Sequence, residues 1–260
     1  MSTLVAENIG LTFAKQEIPT LENINLSLSE SSLTVVLGES GCGKTTLLNI
    51  LAGFQKPTVG HISLDKKILH EPDETRAVVF QEHALFPWLN VEENISFSLD
   101  IKKEKEQVIA QKVAEILQIV GLSHVAKSNI WELSGGMKQR VGIARALISH
   151  ANFILLDEPF AALDAFTREN MQKLVLDLWS KRNKSFFLIT HDIEEALLLS
   201  EELIIMQAKP GRIAKRLQLD FSHRYRNGEN IRSIKSDPQF IELREQLFSQ
   251  LSHEEVESQI

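Results

Sequence analysis

The stretch Gly38-Glu39-Ser40-Gly41-Cys42-Gly43-Lys44-Thr45-Thr46 has the residue types and spacing needed to hold a phosphate. An apolar run, Leu33 to Leu37, leads into it, and the apolar run Leu47 to Ala52 leads out. The pattern predicts a short buried strand, a glycine loop and a helix. Gly38, Gly41 and Gly43 allow backbone conformations barred to residues with a Cβ, so successive N–H groups can converge on an anion. The helix adds its unpaired N-terminal donors and the positive end of its dipole. Lys44 would reach the β- and γ-phosphates of a nucleotide, and the Thr45 hydroxyl would hold Mg²⁺. A second constellation, Phe153-Ile154-Leu155-Leu156-Asp157-Glu158, sets two carboxylates at the end of an apolar run. In an open α/β sheet ligands sit at the carboxyl ends of strands, so both acids are expected to face the phosphate loop. Asp157 suits the oxygen shell of Mg²⁺. Glu158 is then placed to polarise the attacking water, help that is typically worth about 10²- to 10⁴-fold.

A third constellation, Leu133-Ser134-Gly135-Gly136-Met137-Lys138-Gln139-Arg140, precedes a helix with Val141, Ala144 and Ile148 on one face. Ser134 can cap that helix, and Gly135-Gly136 lets a phosphate approach its N-terminus. Alone, Ser-Gly-Gly is equally what an ordinary capped turn shows. Beside the other two constellations it becomes the most specific feature of the chain.

These residues need a scaffold, and the surrounding pattern supplies one. Leu4 to Phe13, Leu21 to Leu28 and His61 to Asp65 read as strands of a small antiparallel layer. Arg76 to Phe80 is a further short buried strand, ending at Gln81. From Val91 to about His150 the period becomes helical, with Ile109, Val113, Ile116, Leu117 and Val120 on one face and Gly121 as the stop. That stretch reads as an inserted helical subdomain. Phe153 to Leu156, Ser185 to Ile189 and Leu203 to Gln207 alternate with helices, one carrying Met171, Leu174, Val175 and Leu178 and one at Ile193 to Ser200. This alternation predicts an α/β core with a parallel sheet. Pro210-Gly211 turns the chain into Arg212 to Asp220. The polar remainder, 221–260, predicts one helix opened by Asp237-Pro238, with Phe240, Leu243, Leu247 and Leu251 along a stripe.

Composition bounds the function. The 260 residues are 43% hydrophobic and 24% charged, ordinary for a soluble globular protein. No apolar run approaches the roughly 18 residues of a membrane span, and Met1 to Glu7 shows no signal-peptide pattern. Cys42 is the sole cysteine, which excludes an internal disulfide and fits a reducing cytosol. A net charge of −7 argues against a nucleic-acid footprint over the surface. Arg212, Lys215, Arg216, Arg224, Arg226, Arg232 and Lys235 make the late chain basic. A solvated face is the expected account, and attraction to anionic lipid head groups the alternative.

Taken together, the motifs resemble the nucleotide-binding subunits of ABC transporters over the whole chain. The phosphate loop Gly38 to Thr45, a Q-loop glutamine at Gln81, the signature Leu133 to Gln139 and the strand ending Asp157-Glu158 follow in that family's order. A D-loop, Ala162-Leu163-Asp164, and a switch histidine, His191, complete the series. The resemblance implies a P-loop NTPase fold of ABC-ATPase type: a parallel RecA-like core, an antiparallel β layer and an inserted helical subdomain. It implies a nucleotide-binding domain at 1–220, with the helical part at about 91–150, and a polar helical extension at 221–260. Phe13 matches the aromatic that stacks on adenine. Gln81 would touch Mg²⁺ or water and report the γ-phosphate, and His191 would contact that phosphate and steady Glu158 and the water. The family also implies a head-to-tail homodimer around two ATP molecules, each met by the phosphate loop of one copy and Ser134 and Gly136 of the other.

Within the family, Phe86-Pro87-Trp88, Asp157 to Arg168, Leu188 to Ala196 and above all Arg232 to Ile241 resemble the nitrate, sulfonate and taurine import group. The implied role is ATP hydrolysis for uptake of taurine, with another alkanesulfonate or nitrate as the alternative. The implied partners are two membrane permease subunits and, indirectly, a periplasmic solute-binding protein, with no nucleic acid. The implied location is the cytoplasmic face of the inner membrane. The segment Glu82 to Leu89 would line the groove for a permease helix, its aromatics being favoured interface anchors; packing between the lobes is the competing account. The chain ends too soon for the regulatory domain of sugar-import ATPases. Two departures stand out: Met137 where many members have glutamine, and Glu39 where proline is usual. Glu39 sets a negative charge near the phosphates and predicts lower ATP affinity. The rival classes are a soluble ABC ATPase acting on nucleic acid or ribosomes and a non-catalytic ATP sensor. The acidic charge disfavours the first, and Lys44, Asp157, Glu158 and His191 disfavour the second.

Overall fold

Leu33–Leu37 is buried along its whole length, as a strand must be when parallel neighbours flank it on both sides. In the computed structural model it is β3 of the chain. The structure describes residues 2–14, 16–81, 84–161, 163–181 and 184–257, without the side chains of 252–257. These form two units: one holds the residues up to Pro72 and from Leu176 onward, the other is Asp73–Val175.

In the first unit, β1 (Thr3–Leu11), β2 (Leu21–Ser29), β4 (Val59–Leu64) and β5 (Lys67–Leu69) make an antiparallel sheet in the order β2-β1-β4-β5. Alternating burial along β2 turns Leu21, Ile24, Leu26 and Leu28 inward, the pattern read from the sequence. A second sheet region surrounds β3. On one side is β8 (Ser185–Thr190), parallel to it with Leu37 opposite Thr190; on the other is β9 (Glu202–Gln207), parallel with Leu37 opposite Ile205. The antiparallel β10 (Arg212–Gln218) borders β9. Helix α1 (Lys44–Ala52) follows β3, and α6 (Ile193–Leu199) follows β8.

The second unit carries the helical stretch: α2 (Val91–Ile101), α3 (Glu106–Ile119) and α4 (Gly135–Ile148). Val113, Ile116, Leu117 and Val120 are buried, and Gly121 ends that run with φ 71°. Here β6 (Arg76–Val79) and β7 (Phe153–Asp157) pair in parallel. Helix α5 (Ala165–Lys181) continues the chain from this unit into the first.

One expectation is corrected. After Asp220 the chain forms three helices rather than one: α7 (Phe221–Arg226), α8 (Ile231–Lys235) and α9 (Pro238–Glu257). All three pack against α6. Phe221, Ile231, Ile234, Phe240 and Leu247 are buried, with the Phe221 and Phe240 rings 5.1 Å apart, edge to face. Helices as short as α7 and α8 have no stability of their own in water. Tertiary burial makes them, and no apolar stripe announces them.

Candidate functional site

The carboxyl end of β3 opens into the phosphate loop. Gly41 and Gly43 adopt φ of 83° and 99°, left-handed values that a side chain resists. At Gly43 there is also no room, since a Cβ would come within 2.6 Å of Leu21 Cδ2. Gly43 is the N-cap of α1, and no side chain caps that helix or adds an acid to its first turn. The first-turn N–H groups of α1 therefore present a positive backbone surface suited to an anion. The Lys44 side chain is only 5% exposed as a residue, and its Nζ donates to Gly38 O (2.6 Å) and Glu39 O (2.8 Å). The ammonium is thus held over the loop. Gly41 is exposed with open space around it, Ser40 and Thr45 are exposed, and Thr46 and Glu39 are half-buried. Cys42 is buried, and burial pushes its thiol above the ordinary range. It can offer a ligand backbone but not sulfur.

Phe13 lies just past β1, 41% exposed, where Gln16 N donates to Phe13 O. Beside Gly41 a depression of ≈ 500 Å³ is lined by Gln16, Glu17, Ile18, Pro19, Thr20 and Lys209. The loop before β10 braces this side: Gly211 N donates to Thr20 O, and Glu22 N to Gly211 O. A Cβ at Gly211 would meet Cys42 O at 2.4 Å. Sequence reading made Pro210-Gly211 a turn only. The closeness of Gly211 to the phosphate loop has no local signal.

His191 follows β8 and is exposed. Because Thr190 is opposite Leu37 in the parallel register, His191 and Gly38 leave neighbouring strands at the same end. The loop is shaped by three residues of the Leu188 to Ala196 stretch to which the sequence reading gave no individual role. Thr190 Oγ1 donates to Glu195 Oε2 (2.8 Å) and accepts from Asp192 N (3.0 Å), while Asp192 caps α6 through Glu195 N.

In the second unit, Val79 is opposite Leu156, so Gln81 and Asp157-Glu158 also leave adjacent parallel strands at one end. Gln81 is exposed, Asp157 buried and Glu158 half-buried. Glu158 has φ 41°, a left-handed value costing about 1–3 kcal/mol in a non-glycine residue. Ser134 caps α4, its Oγ accepting from Met137 N at 3.3 Å. Ser134 and Gly135 are exposed. A Cβ at Gly136 would meet Thr167 Cγ2 at 2.5 Å. Asp164 caps α5, accepting from Thr167 N, and the Thr167 hydrogen bonds hold its carboxyl below the usual range. Ala162, in the predicted D-loop, and Glu82, at the head of the aromatic segment, lie outside the described residues.

The aromatic segment divides its labour. Phe86 is half-buried, 4.4 Å from the Phe97 ring and 5.2 Å beneath the Arg145 guanidinium. Buried Asn94 fixes its backbone, accepting from Phe86 N and donating to Phe86 O, Leu89 O and Asn90 O. Trp88 is 74% exposed. Phe86 thus packs inward, and the exposed Trp88 ring leans on it with centroids 5.5 Å apart.

The basic tail is exposed at Lys215 and Arg232, as a solvated face would be, and ion-paired at four other positions. Arg212 donates to Glu22 (3.0 Å) and Arg216 to Glu202 (2.6 Å). Arg224 donates to Glu229 (2.7 Å) and Asp237 (2.9 Å). Lys235 pairs with Glu194 (3.2 Å). These four cations pair at the surface with acids that, except in the Arg224 cluster, lie 14 or more positions away in sequence.

No described helix is long and apolar enough to cross a membrane. Comparison with known proteins gives one consistent result. The "ABC transporter" family model matches residues 21–161. A taurine import ATP-binding protein of Pseudomonas syringae pv. tomato is 51% identical over 249 residues, covering 96% of this chain and 95% of the relative. Its namesake in Burkholderia pseudomallei is 47% identical over 256 residues, 98% of each chain. Among solved structures, a dimeric ATP-binding cassette in a post-hydrolysis state, bound to ADP and Pi, is 30% identical with a TM-score of 0.73. It covers 83% of this chain and 98% of that one. A Clostridium perfringens subunit, part of an ABC transporter complex, is 27% identical with a TM-score of 0.76, covering 92% and 96%. With an α/β fold, an uncapped glycine loop before α1 and the ordered motif series, the chain belongs to the ABC transporter family.

Proposed function

We propose that this chain is the ATP-hydrolysing subunit of an importer, driving uptake of taurine through a separate membrane permease. The observation that carries this is near-half identity, over almost the full length of each, to proteins named as taurine import ATP-binding subunits. The solute is the finer part of the proposal, because an ATPase of this kind need not touch what is transported.

In this reading, residues 1–220 form the nucleotide-binding domain, with its helical part at about 91–150, and 221–260 an extension. Two copies work as a homodimer with two permease subunits and, indirectly, a periplasmic binding protein. They sit at the cytoplasmic face of the inner membrane. That solved relatives are a dimeric cassette and part of a transporter complex supports the assembly. Phe13 stacks on the adenine, and Gly38 to Thr46 with Lys44 bind the phosphates. Ser134, Gly135 and Gly136 meet the triphosphate held by the other copy. Hard oxygen donors fit Mg²⁺, and Thr45, Gln81 and Asp157 would hold it. The ion neutralises phosphate charge when bound. Glu158 takes the proton of the attacking water, and His191 holds the γ-phosphate end of the site. Trp88 offers an exposed aromatic anchor to the permease.

The test is uptake of labelled taurine, other alkanesulfonates and nitrate in cells with and without the gene. Loss of taurine uptake is expected. Unchanged taurine uptake with loss of another solute would reassign the transporter, and unchanged uptake of all would end the proposal.

A further inference from the structure

We propose that the C-terminal helices α8 and α9 position His191, with Lys235 and Arg244 acting on it through Glu194. The proposal rests on the reading of His191 as the group at the γ-phosphate, and deepens it by naming what sets its place.

His191 stands between two anchors. On one side is β8, locked in register with β3. On the other is α6, whose first turn begins two residues later and carries Glu194. Glu194 is gripped from two separate helices: Lys235 Nζ lies 3.2 Å from its Oε2, and Arg244 Nη1 lies 3.1 Å from its Oε1. Arg244 also donates to Glu245 on its own helix (2.9 Å), which restricts its swing. Partial burial tends to raise the Glu194 carboxyl, but the hydrogen bonds and charges of Lys235 and then Arg244 outweigh it and hold it below the usual range. The carboxylate is therefore ionised and held at neutral pH.

The same helix bounds the space open to the imidazole. A depression of ≈ 540 Å³ is lined by His191, Asp192, Ile193 and Glu194 on one side and by Arg244, Glu245 and Phe248 of α9 on the other. Helix α9 itself is seated by Phe240 and Leu247, both buried. The Glu194 pairs are partly exposed, and exposed pairs contribute little to stability. What they fix is the angle at which α6 leaves the histidine loop. Small displacements of a group that must meet a reacting phosphate carry large rate costs, so such pairs can govern turnover without governing folding.

The test is ATP hydrolysis by the purified full-length chain, with kcat and KM for ATP measured beside the thermal unfolding midpoint. Arg244→Met, and Lys235→Met with it, should lower kcat about tenfold with KM and the midpoint unchanged. Arg244→Lys should restore most of the loss, and Glu194→Gln should reproduce it. In a His191→Ala background, Arg244→Met should cause no further loss, because both changes act on one group. Unchanged kcat in Arg244→Met and Lys235→Met, while His191→Ala is crippled, overturns the positioning role alone. A loss that adds to His191→Ala, or that travels with a lower midpoint, also overturns it. Wild-type turnover in His191→Ala overturns the reading of the histidine, and this inference with it.

Discussion

Two helix N-termini in this molecule look alike in sequence and differ in structure. Both α1 and α4 open on glycine-rich turns with a hydroxyl residue close by. At α1 the N-cap is Gly43 at φ 99°, no side chain caps the helix, and the Lys44 ammonium lies folded over the loop. At α4 the Ser134 hydroxyl already takes the Met137 N–H, and Gly135 and Gly136 are helical, not left-handed. The first terminus has no side-chain cap and a cation folded over its loop. At the second, a side chain takes one N–H, and Ser134 and Gly135 present an exposed, small-residue tip. A terminus of the first kind is suited to an anion. One of the second kind suits a site built mainly by other groups, the part that the proposed head-to-tail dimer would give it.

The sharpest break in that comparison is Gly43→Ala. A methyl there meets Leu21 and must hold a left-handed φ, at about 1–2 kcal/mol for the backbone alone. Nucleotide titration should find ATP binding lost. Next comes Glu158→Gln, expected to keep ATP binding and lose about 10²- to 10⁴-fold in phosphate release. With ATP it should accumulate dimers by light scattering. Adding Ser134→Ala should dissolve those dimers while leaving the ATP affinity of the monomer alone; dimers that persist would remove α4 from the nucleotide site. A smaller effect separates the two glycines of the tip. Gly136→Ala drives a methyl to 2.5 Å from Thr167 and should cost about 1–3 kcal/mol in denaturant unfolding. Gly135→Ala meets nothing within 4 Å and should leave stability unchanged. Smallest of the expected losses is Ser134→Ala by itself, about 0.5–1 kcal/mol for a cap bond of 3.3 Å.

The sequence made the phosphate loop legible because everything it needs lies within nine neighbouring residues, Gly38 to Thr46. The same holds for Leu33–Leu37 and Phe153–Asp157, whose short, mainly apolar runs announced buried strands. Helix α3 was legible from its stripe and its closing glycine. The motif order then added the family, which supplied roles for Gln81 and His191 that no isolated residue would suggest.

Tertiary structure decided what depends on partners far along the chain. The left-handed backbone of Glu158, the 2.5 Å limit at Gly136 and the approach of Gly211 to Cys42 O follow from packing, and no local pattern encodes them. Phe221, Ile231 and Ile234 show no periodic stripe, yet α6 gives them a surface to bury against, and two short helices form that would not exist alone. The ion pairs of the basic tail had no local signal, because Glu22, Glu202 and Glu194 stand roughly 14 to 190 positions from Arg212, Arg216 and Lys235. Local spacing determines which backbone can bend around a phosphate. Which charges meet, and which helix braces the histidine, is fixed only when the chain closes on itself.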